Sequence, residues 1–151
     1  MKTSDNFADR IRAENERVIE LADALRRRVA VVPRNNLAVW IRETQGQFEK
    51  FRAHKIKHMA LEEGDGYMAS VLEQRPTLAP QVDALKHEHA ELVRIMDGVH
   101  KAVGDLMPND KLSVRDCCDR VRNLLSYVEH HENAENMLVT FVFTHDVGTH
   151  D

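Results

Sequence analysis

Between Cys117 and Val142 one stripe recurs in alternating steps of four and three: Cys117, Val121, Leu124, Val128, His131, Glu135, Leu138 and Val142. A stripe of that period, sustained over so many turns, is the inward seam of a long bundled helix. Two of its positions are polar. A histidine and a carboxylate one turn apart on an inward stripe must be paired, protonated or bound to a metal ion, because an unpaired buried charge costs several kcal/mol.

Three further stripes have the same period. The first helix is expected to start after Ser4 or Asp5, either a good cap, with a seam of Phe7, Ile11, Glu14, Val18, Leu21, Leu25, Arg28 and Val32 that Pro33 ends. Asn35 and Asn36 open a second helix whose seam is Leu37, Ile41, Thr44, Phe48, Phe51, Lys55, His58 and Glu62, with Trp40 on its flank. Gly64 and Gly66 interrupt it, residues 67–74 continue helical after a bend, and Arg75, Pro76, Thr77 and Pro80 supply a turn. The third seam is Leu78, Val82, Leu85, His89, Leu92, Met96, Val99 and Val103, followed by a connection over 104–110 that contains Pro108. A fourth helix runs from about Ser113 to about Phe143, and the polar tail after Thr144 is expected to be loosely ordered or folded over the bundle end. Four long helices on short or moderate connections predict an all-α fold, an up-down-up-down antiparallel four-helix bundle. The expected organisation is a single domain over residues 1–151, with its core at about 5–145.

Bulk properties exclude several classes. A chain of 151 residues can bury roughly two-thirds of its unfolded surface around one core. Its net charge of -4, with acids interleaved around Arg26, Arg27 and Arg28, argues against nucleic acid as a partner. No apolar run approaches the roughly 20 residues that span a bilayer, and residues 1–10 have no apolar core of a signal peptide, so no membrane partner and a cytoplasmic location are expected. Cys117 and Cys118, the only cysteines, are neighbours on a helix and point apart, so both are expected as free thiols. There is no glycine-rich phosphate loop, nucleophile elbow or zinc-protease helix motif, so no catalytic residue is assigned and any catalysis would belong to a bound metal.

Do the polar seam residues share one level? At about 1.5 Å per residue, Glu14 lies about 18 residues before the first turn and His58 about 21 after it, a difference of about 5 Å. His89 lies about 15 residues before its turn and His131 about 19 after, a mismatch of roughly 6 Å. Glu62 and Glu135 each follow their histidine by one turn. The candidate metal ligands are therefore His58, Glu62, His89, His131, Glu135 and Glu14, with His54 in reserve and Glu63 or Glu132 able to substitute for Glu62 or Glu135. A mixed set of imidazoles and carboxylates suits iron, manganese or zinc, and two glutamates among three histidines provide the bridges of a two-metal centre. His87 and His130 lie off the seams, and His100, His145 and His150 are expected to face solvent.

The segments from His58 to Glu63, from Glu88 to Leu92 and from His131 to Asn136 resemble the hemerythrin-like, histidine-and-glutamate cation-binding domains of bacteria. The likeness covers about residues 5–145, in that family's helix order. It implies a four-helix bundle around a non-haem di-iron site, with iron as cofactor (two ions, or one) and manganese or zinc less favoured. His58 and Glu62 match the family's second-helix ligands, His89 its third-helix histidine, and His131 with Glu135 its fourth-helix pair. Two family ligands are missing. No histidine precedes His54, so Glu14 is the substitute expected on the first helix, and Leu85 and Val93 stand one turn either side of His89 where oxygen carriers tend to have a second histidine.

Such a site is oxygen-rich for a carrier, which needs one firmly held iron and one open position in an apolar pocket. The expected role is sensing or scavenging of oxygen, nitric oxide or peroxide, or iron handling, with a small diatomic molecule or peroxide as partner. The competing expectation is a metal-free bundle that acts through its surface. A ferritin-type oxidase is disfavoured, because the chain contains no Glu-x-x-His pair.

Overall fold

The inward stripes become four long helices and one short one in a computed structural model that describes residues 2–148 apart from Asp65. Side chains are described from Ala8 to Phe143 apart from Asp65, so those of Ser4, Asp5, Phe7, His145 and His150 lie outside the described residues. Helix α1 spans Lys2–Ala30, α2 Leu37–Glu63, α3 Tyr67–Gln74, α4 Ala79–Gly104 and α5 Lys111–Gly148, with a 3-10 turn at Pro76–Leu78. The third and fourth long helices expected from the sequence are thus α4 and α5. Helix α1 starts before Ser4 rather than after it, and α5 continues helical to Gly148, past the point where a loose tail was expected.

Helix α1 packs beside α2 and α5, and α4 packs beside α2 and α5, so chain neighbours are spatial neighbours and the ring closes between the first and last helices. This is the up-down-up-down arrangement. Among the described residues there is no strand, and no helix is long and apolar enough to cross a membrane. Asn36 caps α2 with a left-handed backbone (φ 58°), which asparagine tolerates well, and its carbonyl accepts from the amides of Val39 and Trp40.

The seams of α2, α4 and α5 fall inward as their periods predict, except that Leu37 at the start of α2, Leu78 in the turn before α4, and Leu138, next to the buried Val139, are only half-buried. The first seam is rotated. Ala8, Ile11, Asn15, Val18, Ala22, Leu25 and Val29 face inward, whereas Glu14 is exposed and Leu21, Arg28 and Val32 lie on the flanks. Both stripes share Ile11, Val18 and Leu25. The larger apolar residues favoured the wrong one, while the small Ala8 and Ala22 allow α1 to approach its neighbours closely.

A polar layer divides the core. On one side Phe48, Phe51, Leu92, Met96, Leu124 and Leu125 belong to a large apolar cluster, and on the other Tyr67, Met68, Val71, Val82, Val139 and Val142 form a smaller one. Helix α3 supplies three members of the smaller cluster and closes that end. Its junction with α2 requires glycine at position 66, because a Cβ there would lie 2.5 Å from the Leu61 carbonyl oxygen and 2.6 Å from the Glu62 Cα.

Candidate metal centre

The polar layer consists of Lys55, His58 and Glu62 from α2, His89 from α4, and His131, Glu132 and Glu135 from α5, all buried. Helical spacing creates it. Residues 55, 58 and 62 share one face of α2, as 131 and 135 share one face of α5, and the antiparallel packing brings these faces to one level.

Two imidazoles are oriented from outside. His89 Nδ1 lies 3.0 Å from Glu63 Oε2, and His131 Nδ1 lies 3.0 Å from Glu88 Oε1. A carboxylate only accepts, so each Nδ1 carries the hydrogen and donates it. This leaves the Nε2 lone pairs pointing inward, the orientation that a carboxylate imposes on metal-binding histidines. His131 Nε2 lies 2.8 Å from Glu135 Oε1, and His89 Nε2 lies 3.9 Å from the same oxygen and 3.6 Å from Glu62 Oε1. His58 is turned round, with Nε2 3.1 Å from Glu14 Oε2 and Nδ1 3.8 Å from Glu62 Oε1. Ligand atoms of His89, His131 and Glu135 all fall within 4.8 Å of one another.

Close approach does not satisfy these atoms. Without a hydrogen-bond partner remain His58 Nδ1, both Glu62 oxygens, His89 Nε2, His131 Nε2, Glu132 Oε2 and Glu135 Oε1. Each such buried group costs about 1–3 kcal/mol, so their concentration in one layer is explained by a cation that they share. Nitrogen and oxygen donors in this mixture fit a first-row transition metal.

Electrostatics agree. Burial and the neighbouring Glu135 push the Glu62 carboxyl up to about 11. Burial opposes ionisation of Glu135 as well, but Glu62, His131, His89 and Lys55 together bring it well below the ordinary range. The two carboxyls therefore hold one proton between them when no metal is bound. Burial, then the charge of Lys55, lowers His58 to about 4 and keeps it neutral. Burial also works against protonation of His131, yet the adjoining Glu135 outweighs it and raises the imidazole above its ordinary value. Protons thus sit where a cation would displace them.

Of the residues expected from the sequence, His58, Glu62, His89, His131 and Glu135 are brought together. Glu14 does not occupy the inward seam position expected for it. Its side chain is 50% exposed and reaches His58 from the rim. Asn15 holds the inward position and donates through Nδ2 to Asn136 Oδ1 at 2.8 Å. His54 stacks beside His58, ring centres 6.1 Å apart, at the edge of the layer. His87, His100 and His130 are exposed, and Cys117 and Cys118 are buried free thiols.

Tyr67, Lys55 and Glu88 went unrecognised as participants, and Glu63 was expected only as a substitute ligand. Tyr67 donates its hydroxyl to Glu135 Oε2, and Lys55 donates to Glu132 Oε1. Glu63 and Glu88 orient histidines instead of replacing a ligand. Lys55 gave a signal, since a lysine on an inward seam demands a buried partner; Tyr67 gave none, because α3 had no predictable packing.

A cavity of about 240 Å³ leads from the surface to the His58 and Glu62 side of the layer, lined also by Arg10, Glu14 and Tyr67. The family model described as the hemerythrin HHE cation binding domain matches residues 6–142. No curated protein and no solved structure matches the chain.

Proposed function

The chain belongs to the hemerythrin HHE cation-binding domain family, and from that premise we propose that it is a non-haem iron protein with His58, Glu62, His89, His131 and Glu135 as ligands. The observation that carries this reading is the layer of unpartnered nitrogen and oxygen atoms, drawn from α2, α4 and α5, that point at one another across a buried space. Bound iron would supply redox chemistry towards dioxygen, nitric oxide or peroxide.

The surrounding residues favour scavenging, sensing or iron handling over reversible oxygen carriage. The approach cavity has Arg10 and Glu14 at its wall as well as Ile11 and Leu61, so water and small polar molecules can reach the ligand layer. A carrier needs that approach to be apolar. Glu63 and Glu88 hold the Nδ1 atoms of His89 and His131 and so aim their Nε2 atoms inward, and Tyr67 holds one oxygen of Glu135 in place. We place the whole activity in this one bundle, with a small oxidant or the metal itself as its partner.

The second reading, a metal-free scaffold that acts through its surface, draws on the internal pairs Lys55 with Glu132 and Tyr67 with Glu135. Those pairs leave His58 Nδ1, His89 Nε2 and both Glu62 oxygens unsatisfied. Elemental analysis of protein purified without chelator, with an absorption spectrum of the same sample, separates the two readings. Bound iron with near-ultraviolet charge-transfer absorption is expected; absence of metal even after anaerobic ferrous reconstitution would refute the iron reading.

A further inference from the structure

Resting on the cation-binding reading above, we infer that the Lys55 ammonium fills the place of a second cation, so that the bundle holds one divalent ion and not a pair. Lys55 is fully buried on the inward seam of α2, one turn before His58. Its Nζ donates to Glu132 Oε1 and lies 4.0 Å from Glu135 Oε1. That same Glu135 oxygen faces the inward nitrogens of His131 and His89, at 2.8 and 3.9 Å. Glu135 therefore stands between the Lys55 side chain on one side and a cluster of inward-facing nitrogens on the other, as a bridging carboxylate stands between two metals.

The charges give the same count. Glu62, Glu132 and Glu135 are the buried carboxylates of the layer and Lys55 is its buried ammonium. With all three carboxylates ionised around a bound ion, three negative charges against one positive leave two, which a single divalent ion neutralises. Glu14, Glu63 and Glu88 do not alter this balance, because their side chains are 50, 41 and 30% exposed and solvent screens them at the rim. A second divalent ion would have to use Glu132, whose Oε1 the ammonium already occupies, and would sit beside a like charge in a region of low dielectric.

A buried lysine–glutamate pair is seldom the most stable way to fill a core, since apolar residues of similar volume do as well or better. Its presence beside the ligand layer is accounted for if the ammonium does the work of an ion. Lys55 is then a positioning residue. It holds Glu132 and the near side of Glu135 without touching whatever binds at the metal.

The test is the number of ions per chain. The protein is loaded anaerobically with Mn(II), freed of excess, and measured by elemental analysis and electron paramagnetic resonance. The wild type is expected to take up about one equivalent with the spectrum of an isolated ion. Lys55→Met is expected to take up about two, with an exchange-coupled spectrum. Lys55→Gln, which retains a hydrogen-bond donor for Glu132 but no charge, serves if Lys55→Met does not fold, with the same expectation of two. Lys55→Arg should stay at one. Two equivalents in the wild type, or one in the charge-removing variants, overturns the inference while leaving the cation-binding reading intact. No bound ion in any of these proteins overturns that reading and the inference with it.

Discussion

Replacing Tyr67 by phenylalanine removes one oxygen atom from the interior and changes nothing else in covalent structure. Tyr67 is fully buried, and its hydroxyl donates to Glu135 Oε2, a carboxylate held in its charged form. A hydrogen bond to a charged group is worth about 1.5–3 kcal/mol net, and Glu135 is fully buried, away from solvent that could replace the lost donor. The ring itself remains packed in the smaller apolar cluster, so little transfer free energy is lost. We expect Tyr67→Phe to destabilise the metal-free protein by about 2 kcal/mol, or roughly 4–8 °C in Tm for a domain of this size. Urea titration followed by circular dichroism measures it, with an unchanged slope showing that the unfolding reaction is the same. Tyr127→Phe, on the exposed face of α5, is the control and should cost under about 0.5 kcal/mol. The deficit should depend on pH in a definite sense. Glu135 lies below its ordinary value of 4.5, so its contribution is present above that pH and is lost as pH falls through the lowered value. The Tyr67→Phe deficit should accordingly be full at neutral pH and shrink in acid. A loss no larger than that of Tyr127→Phe, or one that grows in acid, would refute the assignment of this hydroxyl to a charged Glu135.

Three further outcomes are expected. His58 is lowered from 6.5 to about 4 by burial, so the unfolded chain binds the extra proton first and stability is lost as pH falls from 6.5 towards 4, by roughly 3 kcal/mol at most; His58→Gln should flatten that limb of the curve, and an identical limb in both proteins would contradict it. Burial raises the Cys117 thiol to about 11 and shifts Cys118 upward, so a thiol reagent at pH 8 should label the native protein slowly and the unfolded protein fast, whereas rapid native labelling would show that these cysteines are accessible. Glu14→Leu deprives His58 Nε2 of its partner and should weaken metal binding by about tenfold or more in a competition titration; unchanged affinity would remove Glu14 from the site.

Legibility followed periodicity. The seams of α2, α4 and α5 were readable because a 3.6-residue repeat reports which side of a helix is buried whatever lies opposite, and His58, Glu62, His89, His131 and Glu135 stand on those seams. Pro33, Gly64, Gly66 and Pro108 marked the breaks between helices for equally local reasons, steric in each case. Helix α1 shows where periodicity fails. Two stripes of nearly equal strength lay one position apart, and the choice between Glu14 and Asn15 depended on how closely α1 approaches its neighbours. Helix α3 is a second case, since eight residues contain too little repeat to predict that Tyr67 would face Glu135. The sequence alone determined an all-α bundle and the kinds of donor atom available to a cation. Only the tertiary structure decided which atoms share a space: that Lys55 meets Glu132, that Glu63 and Glu88 turn two histidines inward, and that Glu14 works from the rim. The physical reason is that helix rotation and axial offset are set by the packing of whole faces, and a shift of one residue turns a side chain through about 100°.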